Sequence, residues 1–574
     1  MKKSLCVLAI LLVTFHLGNS QSSLVTKKGT DKKWWKEAIV YQIYPRSFKD
    51  SDGDGVGDLK GIISQLDYIK SLGVNAVWLN PIYSSPNDDN GYDVSDYRNI
   101  MKDFGTMEDF DLLLKGLHQR GIKLVMDFVL NHSSDEHEWF KQSKSSRTSP
   151  YRNYYHWWDA ERVKPNYRYS LFDVNHDAWK YDSSSNAFYL HYFSKKQPDL
   201  NWENPTLRKE IYSMMKFWAE KGIDGYRLDA FQFAAKDTSF PAFPKGFEKN
   251  FVQYYAMGPH IHDYLKEMNQ EVFSKYDVMT VAEGAGNNFQ DAHDLVDADR
   301  KELNMAYAFD AIDLAKMEGY DFIKFKESFT KWDSVFAKKG WLSIFLASHD
   351  QARIVNRFGN ASPEFRELSS KMLSTFLLTM RGTPYIYNGD ELAMTNAGFQ
   401  KISDYRDMST LNEYQYQLNH GGDINQFMKR IQFECRDNSR TPFQWDASNN
   451  AGFSTGNSWI QVNPNYQMIN RAEQEKDQQS VLNYFRKITA LRHKNPALIY
   501  GKYSILDRSN PAIFAYTREL DDKKFLVLLN FSNKVAKSNI NLDVSKAKIL
   551  LANYPIPSKN GSLAPYESIV YQLK

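Results

Sequence analysis

The residues whose types and spacing are best suited to chemistry are Arg227 and Asp229, in the run Gly222-Ile223-Asp224-Gly225-Tyr226-Arg227-Leu228-Asp229-Ala230. Apolar and polar residues alternate there after a glycine turn, which predicts a buried strand. Two positions apart on a strand means one face. A cation and a carboxylate buried together must pair or do chemistry. An adjacent Arg keeps an Asp ionised, as a carboxylate nucleophile requires. Two more acids close apolar runs: Glu283 after Val278-Met279-Thr280-Val281-Ala282, and Asp350 after Leu342-Ser343-Ile344-Phe345-Leu346-Ala347-Ser348-His349. One Asp at a strand end is commonly a helix cap. Three acids with His132, His349 and Arg227 as neighbours are hard to explain as capping. Paired carboxylates flanking a bond are what glycoside cleavage needs, one ionised as nucleophile and one protonated as acid. A catalytic metal is the competing reading, but the two histidines lack i, i+3 or i, i+4 spacing and no Cys/His cluster accompanies them.

A second acidic constellation is Asp50-Ser51-Asp52-Gly53-Asp54-Gly55-Val56-Gly57-Asp58. Acids at positions 1, 3, 5 and 9, a glycine at 6 and a backbone carbonyl at 7 follow a calcium-loop spacing. Gly61 stands where the closing bidentate Glu would be. The expectation is a structural Ca2+ held by Asp50, Asp52, Asp54, the Val56 carbonyl and Asp58. The alternative is an acidic turn that caps the next helix.

These residues need a frame. Apolar runs at 38–44, 76–81, 123–129, 222–230, 277–283, 306–310, 342–347 and 384–391 alternate with helical stretches such as Leu59–Leu72, Met107–Gln119 and Pro205–Lys221. That alternation predicts βαβ units and a parallel sheet. Eight strands make an α/β (β/α)8 TIM barrel, whose chemistry sits at the C-terminal strand ends. Asp89, Tyr92, Asp127, Asn131 and His132 fall at or past such ends. The stretch 131–204 breaks the alternation and is too long for a loop, so a small inserted domain is expected after strand 3. The barrel then covers 31–130 and 205–499. Short β-type runs over 500–574 predict a C-terminal antiparallel β-domain.

Composition sets the class. The 574 residues are 42% apolar and 25% charged, an ordinary globular balance that argues against long disorder. Net charge is +3 with dispersed basic residues, so no nucleic-acid partner is expected. Met1-Lys2-Lys3, the apolar run Leu5–Val13 and Gly18-Asn19-Ser20 read as a signal peptide over 1–20, hence an exported protein, periplasmic or secreted. No further long apolar run suggests a membrane anchor. Only Cys6 and Cys435 occur; Cys435 reads as a packed thiol.

Several motifs in one order now carry a resemblance: Asp127-Phe128-Val129-Leu130-Asn131-His132, Gln197-Pro198-Asp199-Leu200-Asn201, Gly225-Tyr226-Arg227-Leu228-Asp229-Ala230, Glu283, His349-Asp350, and Arg436-Asp437-Asn438-Ser439-Arg440-Thr441-Pro442. The chain resembles the α-amylase family (glycoside hydrolase family 13), in its oligo-1,6-glucosidase and α-glucosidase branch. The resemblance implies Asp229 as nucleophile, Glu283 as general acid/base, and Asp350, His132 and His349 as ligands of the reacting sugar. Arg227 would position Asp229, Tyr92 would stack on the glucose, and Asp89 would pair with Arg436 to close the pocket behind one glucose. It also implies the calcium loop and no organic cofactor. The activity implied is release of α-glucose, with retention, from the non-reducing end of short oligosaccharides or disaccharides. In this branch Ala or Thr after the nucleophile goes with α-1,4 bonds and Val with α-1,6, so Ala230 favours maltose-type substrates. Alternatives are an oligo-1,6-glucosidase, a sucrose-acting or transglucosylating enzyme, and a catalytically inactive sugar-binding or receptor protein. The related sucrose isomerases carry an Arg-rich stretch where this chain has Ile312-Asp313-Leu314-Ala315-Lys316, which makes isomerase a poor fit. Two departures stand out: Ser348 in place of the usual Asn, and the small run Gly284-Ala285-Gly286 beside the acid.

Overall fold

The computed structural model describes residues 32–559 and 561–573. The leader expected over 1–20 lies outside the described residues. Eight short strands form one sheet: β1 (Val40–Ile43), β2 (Ala76–Leu79), β3 (Lys123–Val129), β4 (Gly225–Asp229), β5 (Met279–Ala282), β6 (Met305–Ala306), β7 (Ser343–Ile344) and β8 (Thr383–Tyr387). Their order is 6-5-4-3-2-1-8-7 and the pairings are parallel. Helices on the outside and side chains within bury these strands on both faces, which is why they read as continuous apolar runs rather than alternating ones. Between β6 and β7 the seam is bridged by the Ser343 hydroxyl, which donates to the Ala306 carbonyl at 2.7 Å. The sheet thereby closes into the expected barrel.

Register does the positioning. Arg227 pairs across to Asp127 on β3 and to Val281 on β5. Gln42 on β1 sits beside Trp78 and Tyr387. Glu283 follows the last rung of β5, Ala282 opposite Leu228.

Three elements depart from expectation. The strand expected at 306–310 is only Met305–Ala306, because Tyr307 leaves the ladder to pack on Trp78 and Phe345. The one expected at 342–347 is only Ser343–Ile344; Phe345 turns inward onto Tyr307. The helix expected from Leu59 to Leu72 is two, α1 (Leu59–Ser64) and α2 (Leu66–Ser71), separated where Gln65 leaves helical geometry at φ −111°, ψ 11°. The other two helices form as expected. α3 (Met107–Gln119) starts on a Thr106/Asp109 capping box, and α4 (Pro205–Lys221) on an Asn204 cap with Pro at its first turn. Gly222 ends α4 in the left-handed region at φ 101°, turning the chain into β4.

Between β3 and α4 a three-stranded antiparallel sheet orders Trp157–Asp159, Ala187–Leu190 and Trp179–Asp182. After β8 come two helices the sequence reading did not anticipate, α5 (Met408–Asn419) and α6 (Ile424–Glu434), which meet through Tyr414 and Phe427. The chain ends in an antiparallel sheet of β9 (Lys502–Leu506), β10 (Ile513–Leu520), β11 (Lys523–Asn530), β12 (Lys548–Ala552) and β13 (Ser568–Leu573), in the order 9-10-11-13-12. Phe514 on β10 packs against Phe376 of the barrel shell, ring centres 5.6 Å apart.

Candidate active site

Asp229 is the last residue of β4, and Ala230 turns the chain away at φ 45°. Arg227 lies two residues back, 2% exposed, and holds three acids. One terminal nitrogen donates to Asp229 and, at 2.8 Å, to Asp127; the other lies 3.0 Å from Glu283 Oε1. Glu283 Oε2 accepts the Ala230 N–H at 2.9 Å. Asp127 also accepts from Tyr92 Oη at 2.8 Å and Trp78 Nε1 at 3.2 Å, and the Trp78 ring lies 5.1 Å from the guanidinium. Burial pushes the Asp127 carboxyl up to about 6 against the pull of Arg227. Burial also raises Asp229; Arg227 pulls it down, while Glu283 and Asp127 push it up again. Three acids thus share one guanidinium, and Asp229 and Glu283, both in contact with it, are a carboxyl pair of the kind glycoside cleavage uses.

The acids open into a cavity of about 410 Å³, within the range of small-molecule sites. Asp89, Tyr92, His132, His349 and Arg436 line it with Asp229, Glu283 and Asp350. Arg227 does not line it. Its hydrogen bonds go to protein carboxylates, Asp229 among them. Arg436 gathers three acids of the lining, with Nη2 at 2.9 Å from Asp89, Nη1 at 3.1 Å from Asp350 and Nε at 2.6 Å from Asp407. The expected Asp89–Arg436 pair is therefore present, as part of a larger cluster. Arg440 adds a contact to Asp350 at 3.2 Å. Burial works against the Asp350 charge, but His349, Arg436, Arg440 and Arg227 outweigh it and hold the carboxyl well below its ordinary range.

His349 is buried and stays neutral, because desolvation drives its basicity down. The Gln42 amide donates to Asn80 Oδ1 at 2.9 Å and reaches His349 Nδ1 at 2.8 Å. Nδ1 must accept, so the ring proton is on Nε2, 3.1 Å from Asp350. Tyr92 stacks on the His349 ring, centres 5.1 Å apart and planes 3° from parallel. His132 is also buried, and desolvation lowers it to about 3. It faces the Tyr92 carbonyl at 3.2 Å and Gln197 Nε2 at 3.1 Å.

Sequence reasoning gave no role to Asp407, Arg440, Gln197 or Phe172. Asp407 caps α5 by accepting the Thr410 N–H at 3.0 Å, so it carries only a helix-start signal. Gln197 stood inside a quoted motif, and its amide at 3.0 Å from Asp89 shows what that motif delivers to the site. Phe172, 4.9 Å from the Arg436 guanidinium, comes from the inserted stretch, where nothing local marks it. The two departures have visible settings. The Ser348 hydroxyl accepts the Asp350 N–H at 3.2 Å and donates to Gln351 at 2.7 Å. Gly284 sits at φ 96°, and a Cβ there would collide with the Gln232 amide. The run after the acid is thus held glycine by packing as well as by backbone angle.

At the acidic loop, carboxylate oxygens of Asp50, Asp52 and Asp58 lie within 4.8 Å of one another, an all-oxygen donor set suited to a hard cation. Asp54 is outside that group. Gly55 stands at φ 93° against the Asn457 carbonyl, where a side chain would collide, so the loop is pinned on the 453–459 segment. Asp58 also caps α1 by accepting the Gly61 N–H at 2.7 Å. The helix-capping alternative is therefore realised in the same residue that completes the acidic group.

A (β/α)8 barrel with paired acids at adjacent strand ends that open into a pocket is the arrangement of a glycoside hydrolase. The chain belongs to the α-amylase family: the model described as "Alpha amylase, catalytic domain" matches residues 42–501, and "Alpha-amylase SusG C-terminal domain" matches residues 513–570. It is 47% identical over 561 residues to an oligo-1,6-glucosidase from Bacillus cereus, covering 95% of this chain and 100% of that protein. It is 46% identical to the oligo-1,6-glucosidase of Parageobacillus thermoglucosidasius, with the same coverage. Among solved structures, isomaltulose synthase SmuA from Protaminobacter rubrum superposes with a TM-score of 0.91 at 44% identity, covering 95% of this chain and 100% of that one.

Proposed function

We propose that this chain is an exo-acting, retaining α-glucosidase that releases glucose from the non-reducing end of short α-glucosides. The observation that carries the reading is the Arg436 cluster: Asp89, Asp350 and Asp407 meet on one guanidinium in the pocket lining, and we read that cluster as the blocked end of the sugar site. A blocked end admits one terminal sugar and excludes a through-running chain.

Asp229 attacks the anomeric carbon as Glu283 gives its proton to the leaving oxygen, and the glycosidic bond breaks. A glucosyl ester forms on Asp229. Glu283, now a base, takes a proton from water, whose oxygen displaces Asp229 and releases α-glucose. Arg227 aims the attacking carboxylate and balances the charge that moves between the two acids. In the free enzyme both Glu283 oxygens are engaged, by Arg227 and by the Ala230 N–H. Glu283 gives up one of these contacts to reach the leaving oxygen.

Ala230 lines the pocket beside Glu283, and its small side chain favours maltose-type α-1,4 bonds. The curated relatives favour a second reading, α-1,6 cleavage, since both are oligo-1,6-glucosidases. Sucrose isomerisation is not adopted: Ile312–Lys316 lacks the arginines of those enzymes. The test is initial rates on maltose, isomaltose, sucrose and maltotriose, with Asp229→Asn as control and NMR to identify the anomer first released. Loss of all glucose release in wild type, or first release of β-glucose, overturns the reading. Faster isomaltose than maltose cleavage overturns the linkage assignment alone.

Two further properties belong to the same proposal. Asp50, Asp52 and Asp58 hold a structural Ca2+, which would relieve the repulsion among their carboxylates. The protein is exported by its 1–20 leader; no helix of the described residues is long and apolar enough to cross a membrane. Cell fractionation of the full chain against a chain lacking 1–20 tests the second point.

A further inference from the structure

A second cavity, of about 510 Å³, lies where the barrel shell meets the C-terminal sheet. The helix Arg366–Thr379 gives Lys371 to its lining, the helix Val481–Lys494 gives Tyr484 and Lys487, and β12 with the turn after it gives Leu551, Pro555 and Pro557. These walls are fixed to one another. Asn553, in that turn, donates to the Leu368 carbonyl at 3.0 Å and the Tyr566 carbonyl at 2.7 Å, and accepts the Ser568 N–H at 2.8 Å. Tyr484 Oη lies 2.7 Å from Thr375 Oγ1 and 3.2 Å from Ser568 Oγ. The cations are not spent in this way. Lys371 is 7% exposed, yet among the described residues its ammonium makes no hydrogen bond. Glu367 Oε2 is 3.8 Å away, and Arg366 holds the other oxygen of that carboxylate at 3.1 Å. Lys487 uses one donor, on the Gln478 carbonyl at 2.8 Å. Among the described residues no Asp or Glu lines the cavity. A buried ammonium without acceptors is costly, and a second cation beside it adds repulsion. Burial lowers the basicity of Lys371 and Lys487 lowers it further, against the pull of Glu367 and Asp477. A neutral guest would supply acceptors alone; an anion would supply them and relieve the repulsion as well.

We propose that this cavity is a second binding site, for a small amphipathic anion: a carboxylate or phosphate head on the Lys371 and Lys487 ammoniums, and an apolar body on Leu551, Pro555 and Pro557. The site stands apart from the glucosidase reading, since none of these residues lines the pocket of Asp229 and Glu283. A guest here touches the barrel and the C-terminal sheet together, so it ties the two and stabilises the folded chain by mass action.

The test is titration calorimetry and thermal unfolding of the full chain with octanoate, octyl phosphate, inorganic phosphate and octanol as probes. Octanoate or octyl phosphate should bind saturably and raise the thermal midpoint, and the tighter of the two names the head group. Failure of both to bind at millimolar concentration overturns the proposal. Octanol binding as tightly overturns the role of charge, and inorganic phosphate binding as tightly overturns that of the apolar body. Lys371→Met, which keeps the bulk of the side chain, should weaken the preferred probe at least about 10-fold, the loss of a charge-assisted hydrogen bond, and leave rates on maltose and isomaltose unchanged. Lys487→Met, at the exposed rim, should weaken it too, and carries the test if the buried substitution does not fold. Undiminished binding in every variant that folds places the probe elsewhere and overturns the site.

Discussion

Arg436 Nη2 and Asp89 Oδ1 meet at 2.9 Å across 347 positions of chain, in the lining of the pocket. Asp350 and Asp407 complete the cluster on the same guanidinium. Removing the cation takes the ion-pair partner from Asp89 and leaves Asp350 and Asp407 to share Arg440, and breaking a buried pair from one side is costly. Arg436→Ala is expected to lower stability by about 3 kcal/mol and to cut kcat/KM on disaccharides, measured by urea denaturation and initial rates. Unchanged stability would show that solvent reaches the cluster.

Asp229→Asn should behave oppositely on the two scales. The proposed nucleophile is lost, so kcat should fall at least ~10⁴-fold. One of three acids competing for Arg227 becomes neutral, so stability at pH 7 should hold or rise. Parallel loss of activity and stability would contradict the charge balance described around Arg227.

Ala230 sits at φ 45°, a conformation that a β-branched residue adopts only with strain. Ala230→Val should therefore lower stability by about 1–2 kcal/mol. It should also raise the isomaltose-to-maltose rate ratio. A ratio that does not move removes residue 230 from linkage choice.

Chelation should reveal the acidic loop. With excess EGTA the thermal midpoint is expected to fall by several degrees, and added Ca2+ should restore it, in wild type and not in Asp50→Ala. No shift in wild type would leave Asp50, Asp52 and Asp58 as a capping turn.

Asp390 gives a pH signature away from the site. Burial raises its carboxyl from 3.8 to about 7, with Arg353 pulling back and Glu391 pushing further. A raised carboxyl binds its proton more tightly in the folded state. Its contribution is therefore full below about pH 4 and is lost as pH rises through about 7. Asp390→Asn should flatten that decline in denaturation free energy between pH 4 and 8, and should make the protein more stable than wild type at pH 8.

Much of this site was readable because strand ends announce themselves. Arg227 and Asp229 share a face by spacing alone, and the ladder puts Asp127 across from them. Asp390 and Glu391 show the limit of that signal. They close the apolar run expected at 384–391, but the strand stops at Tyr387 and they lie in the turn after it, where Glu391 is buried, accepting from Tyr41 at 2.6 Å and Tyr68 at 2.7 Å. Nothing in the local sequence separates a strand-end acid that faces the cavity from one that faces inward. α5 and α6 escaped for a different reason: they cover the pocket rather than the barrel core, so the βαβ alternation does not call for them. Asp407 was hidden with them. The two-residue strands β6 and β7 come from apolar runs longer than their ladders, since packing consumes the remainder.

The Arg436 cluster has a consequence for how the protein comes into being. Its four members are drawn from before α3, from the end of β7, and from both sides of α5 and α6. No fragment that stops short of Arg436 holds all four members. A chain still emerging from the ribosome or from a translocation channel therefore has no sugar site to fill. On the proposed reading, glucose or an inhibitor can bind only a chain that has reached Arg436 and folded, so the ligand acts as an inspector of assembly. It should protect the whole chain from proteolysis at once, in proportion to its occupancy, and leave a truncated one unprotected.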